Sequence, residues 1–184
     1  MLPELFARFE LIIYIFAAFF IVSIYWTIRT IKLNQLIKQK RLTNVKLFRF
    51  GAETSIAVSE EGLIGAVNFR LNTLTVDINE IKEFEILLGR YSIENAKASK
   101  NNGLLFSGID NRLRPILAEE RLKEVNFIIA MKNKKVFGIN LHKSTRLKFL
   151  TEAKQNNIVQ LFTTLQAVEK RLKDNTKSLL YQKE

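Results

Sequence analysis

Leu11–Ile28 (LIIYIFAAFFIVSIYWTI) is a run of 18 residues without a charge, and every charged residue in the stretch that follows, Arg29–Arg41, is basic. This junction constrains the chain more than any other feature. An α-helix rises about 1.5 Å per residue, and a bilayer core takes about 20 mostly apolar residues. Phe9 on one side and Ile31 and Leu33 on the other extend the run, with Arg29 and Lys32 long enough to carry their charges toward water. Tyr25 and Trp26 stand where an interfacial aromatic pair belongs. Ser23 and Thr27 can bond back to helix carbonyls, so neither is costly in lipid. A cleaved signal needs a basic leader, a shorter apolar core and a small-x-small cleavage site. Here the leader is short and mixed in charge, and the run ends in bulky Tyr25-Trp26. A core helix apolar all round for about five turns does not suit a chain this small. The expectation is a single transmembrane helix over residues 9–31.

Charge fixes its expected orientation. The net charge is +11, and residues 29–49 supply +7 of it through Arg29, Lys32, Lys38, Lys40, Arg41, Lys46 and Arg49, with no acid among them. Basic flanks stay on the cytoplasmic side. A short extracytoplasmic N-terminus (1–8) and a cytoplasmic soluble part follow, which places the chain in the inner membrane. The same seven residues can attract anionic lipid headgroups, each by about 1 kcal/mol within a Debye length. They can equally serve as a topology signal and solvated linker over residues 32–49. Nucleic acid is not an expected partner. Basic residues give non-specific phosphate affinity, but no stacking aromatic precedes Phe48 and Phe50, and the segment is tethered.

The rest has the pattern of an α+β domain over residues 50–173, with a polar tail at 174–184. Ile56–Val58 and Leu63–Val67 are short β-like runs joined by a turn at Ser59–Gly62. Leu74, Val76 and Ile78 alternate with polar neighbours, and apolar content continues to Gly89. Val125–Met131 and Val136–Leu141 form a hairpin about Lys132-Asn133-Lys134. Residues 91–103 are polar and expected as loop. The segment IDNRLRPILAEERLKEV is open between extended and helical states, because Pro115 disfavours helix at the residue before it but suits a helix's first turn. Ser144 is the expected N-cap of a C-terminal amphipathic helix carrying Leu147, Leu150, Ile158, Leu161, Leu165, Val168 and Leu172. Asn156-Asn157 leaves open whether that helix is one or two.

Several antiparallel strands closed by one amphipathic helix suggest a small β-barrel or bent sheet. The order resembles the bacterial pleckstrin-homology-like domains, which often sit beside membrane helices. The hairpin IAVSEEGLIG, the strand LTVDINEIKEFEI, the loop NNGLLFSGI, the strand pair VNFIIAMKNKKVFGINL and the helix segment IVQLFTTLQAVEK carry the resemblance. The Arg-rich DNRLRPILAEERLKE departs from it. The resemblance implies a binding or scaffolding module rather than an enzyme.

Nothing in the sequence identifies a reaction. There is no cysteine, hence no disulfide, thiolate metal site or Cys nucleophile. His142 is the only histidine and cannot make a two-His metal site; it is expected exposed or capping. No nucleophile elbow is present, and GLIGAVN lacks the end of a phosphate-binding loop. Glu80, Glu83, Glu85 and Glu119, Glu120, Glu124 alternate with Lys82, Arg121 and Lys123, as on a solvated face. Arg112, Arg114, Arg121 and Lys123 form a candidate anion site if they share a face, since guanidinium forks match phosphate oxygens; pairing with the neighbouring glutamates is the plainer expectation. The expectation is a non-enzymatic module without metal or cofactor that binds a protein partner or self-associates at the membrane, or alternatively senses anionic lipids through its basic segment.

Overall fold

In the computed structural model, residues 2–94, 104–118, 122–144 and 150–181 are described, with side chains from 10 to 176. The chain opens with one continuous helix, α1 (Leu2–Gln39), the one helix among the described residues long and apolar enough to cross a membrane. Leu11, Phe16, Phe19 and Phe20 are exposed, and no residue of its apolar window is buried. The helix does not stop at the junction with the basic stretch. It ends only where Arg41 turns left-handed (φ 50°), with Leu42 N–H donating to Ile37 O and Arg41 N–H to Lys38 O. That pair of bonds is a Schellman closure with Arg in the place usually held by Gly.

Two antiparallel sheets follow. The first has the order β1 (Lys46–Phe50), β2 (Thr54–Val58), β3 (Leu63–Asn68), β4 (Thr73–Asp77). The second has the order β6, β5, β7, β8, built from β5 (Ile81–Leu88), β6 (Tyr91–Glu94), β7 (Glu124–Met131) and β8 (Val136–Lys143). The architecture is therefore α+β, as expected, but the strands among the described residues form two sheets of four and no closed barrel. The segment LTVDINEIKEFEI is not one strand. Asp77 accepts the Asn79 N–H at 2.8 Å and starts a 3₁₀ turn, Ile78–Glu80, that sends β4 and β5 into different sheets.

Period-2 burial is clean where a sheet has one wet face. In β7, Val125, Phe127, Ile129 and Met131 point inward while the residues between them are half-exposed. β2 is buried throughout because its sheet is covered on both faces. Ile56 and Val58 join the main core, and Ala57 joins Val67, Leu33 and Leu36 in a second cluster under α1. Gly65 permits that approach: a Cβ there would come within 2.6 Å of Leu36 Cδ2.

Two helices complete the domain. α2 (Ile109–Leu117) buries Ile109, Leu113 and Leu117 and carries Pro115 near its end. α3 (Glu152–Tyr181) is continuous through Asn156-Asn157 and packs against α2 and β1. Its N-cap is Thr151, whose Oγ1 accepts the Lys154 N–H at 3.4 Å, and not Ser144, which lies eight residues upstream of Glu152. Leu147 lies outside the described residues. Residues 174–181 continue the helix instead of fraying, and residues 91–94 are strand where a loop was expected. Phe84, Phe106, Phe127 and Phe162 meet at the centre, with ring centroids 4.7–6.5 Å apart, and tie the second sheet to α3.

Candidate functional site, a seam between the long helix and the sheet

Three side chains of α1 at four- and three-residue spacing, Tyr25, Arg29 and Lys32, lie along one face of the helix. Each donates to a backbone carbonyl of a sheet turn. Tyr25 Oη reaches Phe69 O at 3.0 Å and Ala52 O at 3.4 Å, Arg29 Nη1 reaches Gly51 O at 2.7 Å, and Lys32 Nζ reaches Leu71 O at 3.0 Å. The acceptors belong to the β1–β2 and β3–β4 turns, where carbonyls are free of ladder partners. Below them Leu33 and Leu36 seal the apolar cluster with Ala57 and Val67. The basic juxtamembrane segment, residues 32–49, is half helix, one turn, and the first strand of the sheet.

Arg29 is 1% exposed. Its guanidinium carbon lies 5.3 Å from the centre of the Trp26 ring. It is spent on the seam and does not face outward as a headgroup contact would. Beside it a partly buried cluster fills the β1–β2 turn. Lys154 Nζ lies 3.4 Å from Glu53 Oε2 and 3.5 Å from His142 Nδ1. An ammonium only donates, so Nδ1 accepts and the neutral ring carries its proton on Nε2. Gly51, at φ 59°, is required here: a Cβ would lie 3.0 Å from Glu53 Oε2 and 3.2 Å from Lys154 Nζ.

His142 is fully buried on β8, not exposed or capping. Its pKa is pushed below the usual imidazole value, first by burial, then by the Lys154 charge, with Glu53 opposing. Among the described residues no group of three or more His, Asp or Glu could hold a metal ion.

A cleft of 510 Å³ opens next to this cluster, between the β3–β4 tip and the end of β8. Glu53, Thr54, Phe69, Arg70, Asn140 and Lys143 line it. Phe69 is 62% exposed at the tip, its ring 5.7 Å from that of Tyr25.

The remaining basic candidates do not form one band. Lys38, Lys40 and Arg41 are exposed at the far end of α1; counted along the helix, Arg41 is about 18 Å beyond Arg29. Lys46 is exposed over the Phe48 ring, and Arg49 is exposed one residue from the end of β1. Tyr25 and Trp26 are half-buried, edge to face at 6.5 Å. Arg112 and Arg114 are exposed on α2 but two positions apart, hence about 200° around the helix. Lys123 is exposed just before β7, and Arg121 lies outside the described residues, as do Glu119 and Glu120. Arg70, in the β3–β4 turn, and Lys143, at the end of β8, were not among the sequence candidates. The available signal was an aromatic and an arginine adjacent in a turn, Asn68-Phe69-Arg70-Leu71. Compared with known proteins, the chain matches no family model, no curated protein and no solved structure.

Proposed function

We propose that the chain is a single-pass membrane protein whose non-enzymatic domain sits on the cytoplasmic face of the inner membrane and binds a protein partner or a second copy of itself. The observation that carries this reading is the seam. A helix with an uncovered apolar half runs without a break into the domain and is locked to it by three polar anchors and an apolar cluster. A domain fixed in this way presents a constant face at a constant height, which lowers the orientational cost of meeting a partner in the same membrane. The pleckstrin-homology-like reading is part of the proposal: two antiparallel sheets joined by Thr54 Oγ1 donating to Asn140 O at 2.6 Å, with a long C-terminal helix, support it.

Two experiments test the reading. C-terminal phosphatase and GFP fusions should give GFP-bright, phosphatase-silent cells; the reverse would invert the topology. Cross-linking in membranes, followed by purification of the full-length chain, should trap a discrete higher species. A chain that remains an uncross-linked monomer under those conditions would remove the partner reading.

A second reading, anionic-lipid sensing, is favoured by the cleft, which places Arg70 and Lys143 beside exposed Phe69 and next to the C-terminal end of the apolar run. Native mass spectrometry of the full chain from mixed phosphatidylcholine and phosphatidylglycerol should then show selective retention of the anionic lipid. Equal retention of both would count against it.

A further inference from the structure

We infer that the β3–β4 tip, Phe69-Arg70-Leu71, is a second membrane-contacting element that enters the leaflet beside α1. The inference rests on the reading of α1 as a spanning helix and goes beyond it. The length of the uncovered apolar run points to it. Glu10 is the last charge before the run, and the domain first meets the helix at Tyr25 through the bond to Phe69 O. Only Leu11–Ile24 lie between them, about 21 Å of helix against a hydrocarbon thickness of about 30 Å. The shortfall is about 9 Å.

The helix itself indicates where that length comes from. Ile24, Ile28 and Ile31 share one face and remain exposed, beside the face that carries Tyr25, Arg29 and Lys32. Ile31 lies six residues past Tyr25, again about 9 Å. Extending the lipid-covered span to Ile31 restores a full bilayer length. It also sinks whatever is level with Tyr25 by the same amount. Helical side chains lean toward the N-terminus, so the Tyr25 hydroxyl and the Phe69 carbonyl it binds lie at or below the depth of the Tyr25 backbone.

The residues at that level suit the position. Phe69 projects an exposed aromatic ring, and Arg70 follows it with a charge able to reach the phosphate layer. The one charge within the extended span, Arg29, is withdrawn into the seam, where Gly51 O and the Trp26 ring receive it. The alternative is a bilayer thinned around the helix, which leaves the tip in water.

The absence of cysteine makes the test direct. F69C, R70C, V136C and F16C, each in the full-length chain, are labelled with an environment-sensitive NBD probe and reconstituted in phosphatidylcholine–phosphatidylglycerol vesicles. Val136 is exposed on the hairpin whose Lys132 N–H bonds Glu80 O, at the end of the domain where β3 begins, away from the tip. Phe16 is in the apolar run. The expected result is a blue-shifted probe at F69C, quenched several-fold more by spin-labelled lipid than the one at V136C and protected from iodide, with R70C intermediate. A probe at F69C that matches V136C, while F16C is quenched by lipid, overturns the insertion and leaves the anchor standing. Absence of lipid quenching at F16C overturns both.

Discussion

Replacing Glu169 with alanine should destabilise the domain more than any other single change of a polar residue on α3. Glu169 is 3% exposed, and its two oxygens accept the backbone N–H groups of Leu105 (2.6 Å) and Phe106 (3.0 Å). Those bonds hold the turn that leads into α2, whose N-cap, Gly108, supplies no side-chain bond of its own. Phe106 in turn stacks on Phe84 at 4.7 Å, so the carboxylate positions part of the aromatic core. Truncation leaves two buried N–H donors without acceptors, at about 1–3 kcal/mol each. The sum, about 2–6 kcal/mol, is a large share of the roughly 5–15 kcal/mol that stabilises a domain. At about 2–4 °C per kcal/mol for a chain of this size, the melting midpoint should fall by roughly 5–20 °C. The assay is thermal unfolding of the full-length chain in one fixed detergent, followed by circular dichroism. E169Q retains one carbonyl oxygen and should lose about half as much. K173A should lose little, because the Lys173 side chain, whose ammonium lies 3.2 Å from Glu169, is 42% exposed. A shift below about 2 °C for E169A would refute the reasoning, since it would mean the two N–H groups find other acceptors at no cost.

Other expectations follow from the same geometry. F162A removes the ring that meets Phe84, Phe106 and Phe127, and should cost about 3–5 kcal/mol in chemical denaturation of the detergent-solubilised chain. His142 has a lowered pKa, so below about 6.5 the unfolded chain binds a proton that the folded one refuses. Stability should therefore be fully present above that pH and fall as pH drops through it toward the folded value. Melting midpoints from pH 8 to pH 5 should show the loss in the natural chain and lessen it in H142N. G65F should push Leu36 off the sheet, an overpacking of about 1–3 kcal/mol. Its signature should be faster tryptic cleavage at Lys38, Lys40 and Arg41, and unchanged cleavage there would place the helix–sheet seam elsewhere.

Some of this molecule is legible in its sequence because burial is periodic. The hairpin of β7 and β8 and the apolar half of α1 follow directly from where hydrophobic residues recur. The poor alternation around Ile56–Val67 also carried information: a strand covered on both faces loses its polar positions, and β2 is covered by the core on one side and α1 on the other. Asp77 hid the break between the sheets because it keeps the alternating pattern while its carboxylate caps a turn. Glu169 was partly visible as well. It falls four residues after Leu165 and three before Leu172, on the core face of α3, where an unpaired carboxylate has no reason to sit.

The seam was not legible, for a physical reason. Its donors are ordinary side chains of a basic stretch, and its acceptors are backbone carbonyls, which any sequence provides. Charge counting treats Arg29 and Lys32 as equivalent to Lys38, Lys40 and Arg41, and the fold divides them. The first pair is committed to the turns, and the second group stands at the far end of the helix. With the lipid-covered span ending at Ile31, as inferred above, the end of α1 and Arg41 would stand about 12–15 Å beyond it, past the Debye length of about 8–10 Å, where headgroup attraction is largely screened. On the proposed anchoring, the basic side chains nearest the leaflet are Arg49, Arg70 and Lys143, which lie near the turns that grip α1. Two members of the basic run, Arg29 and Lys32, thus fasten α1 to the sheet turns and hold helix and domain in a single pose, and the proposed orientation signal needs only the charge of the run as a whole.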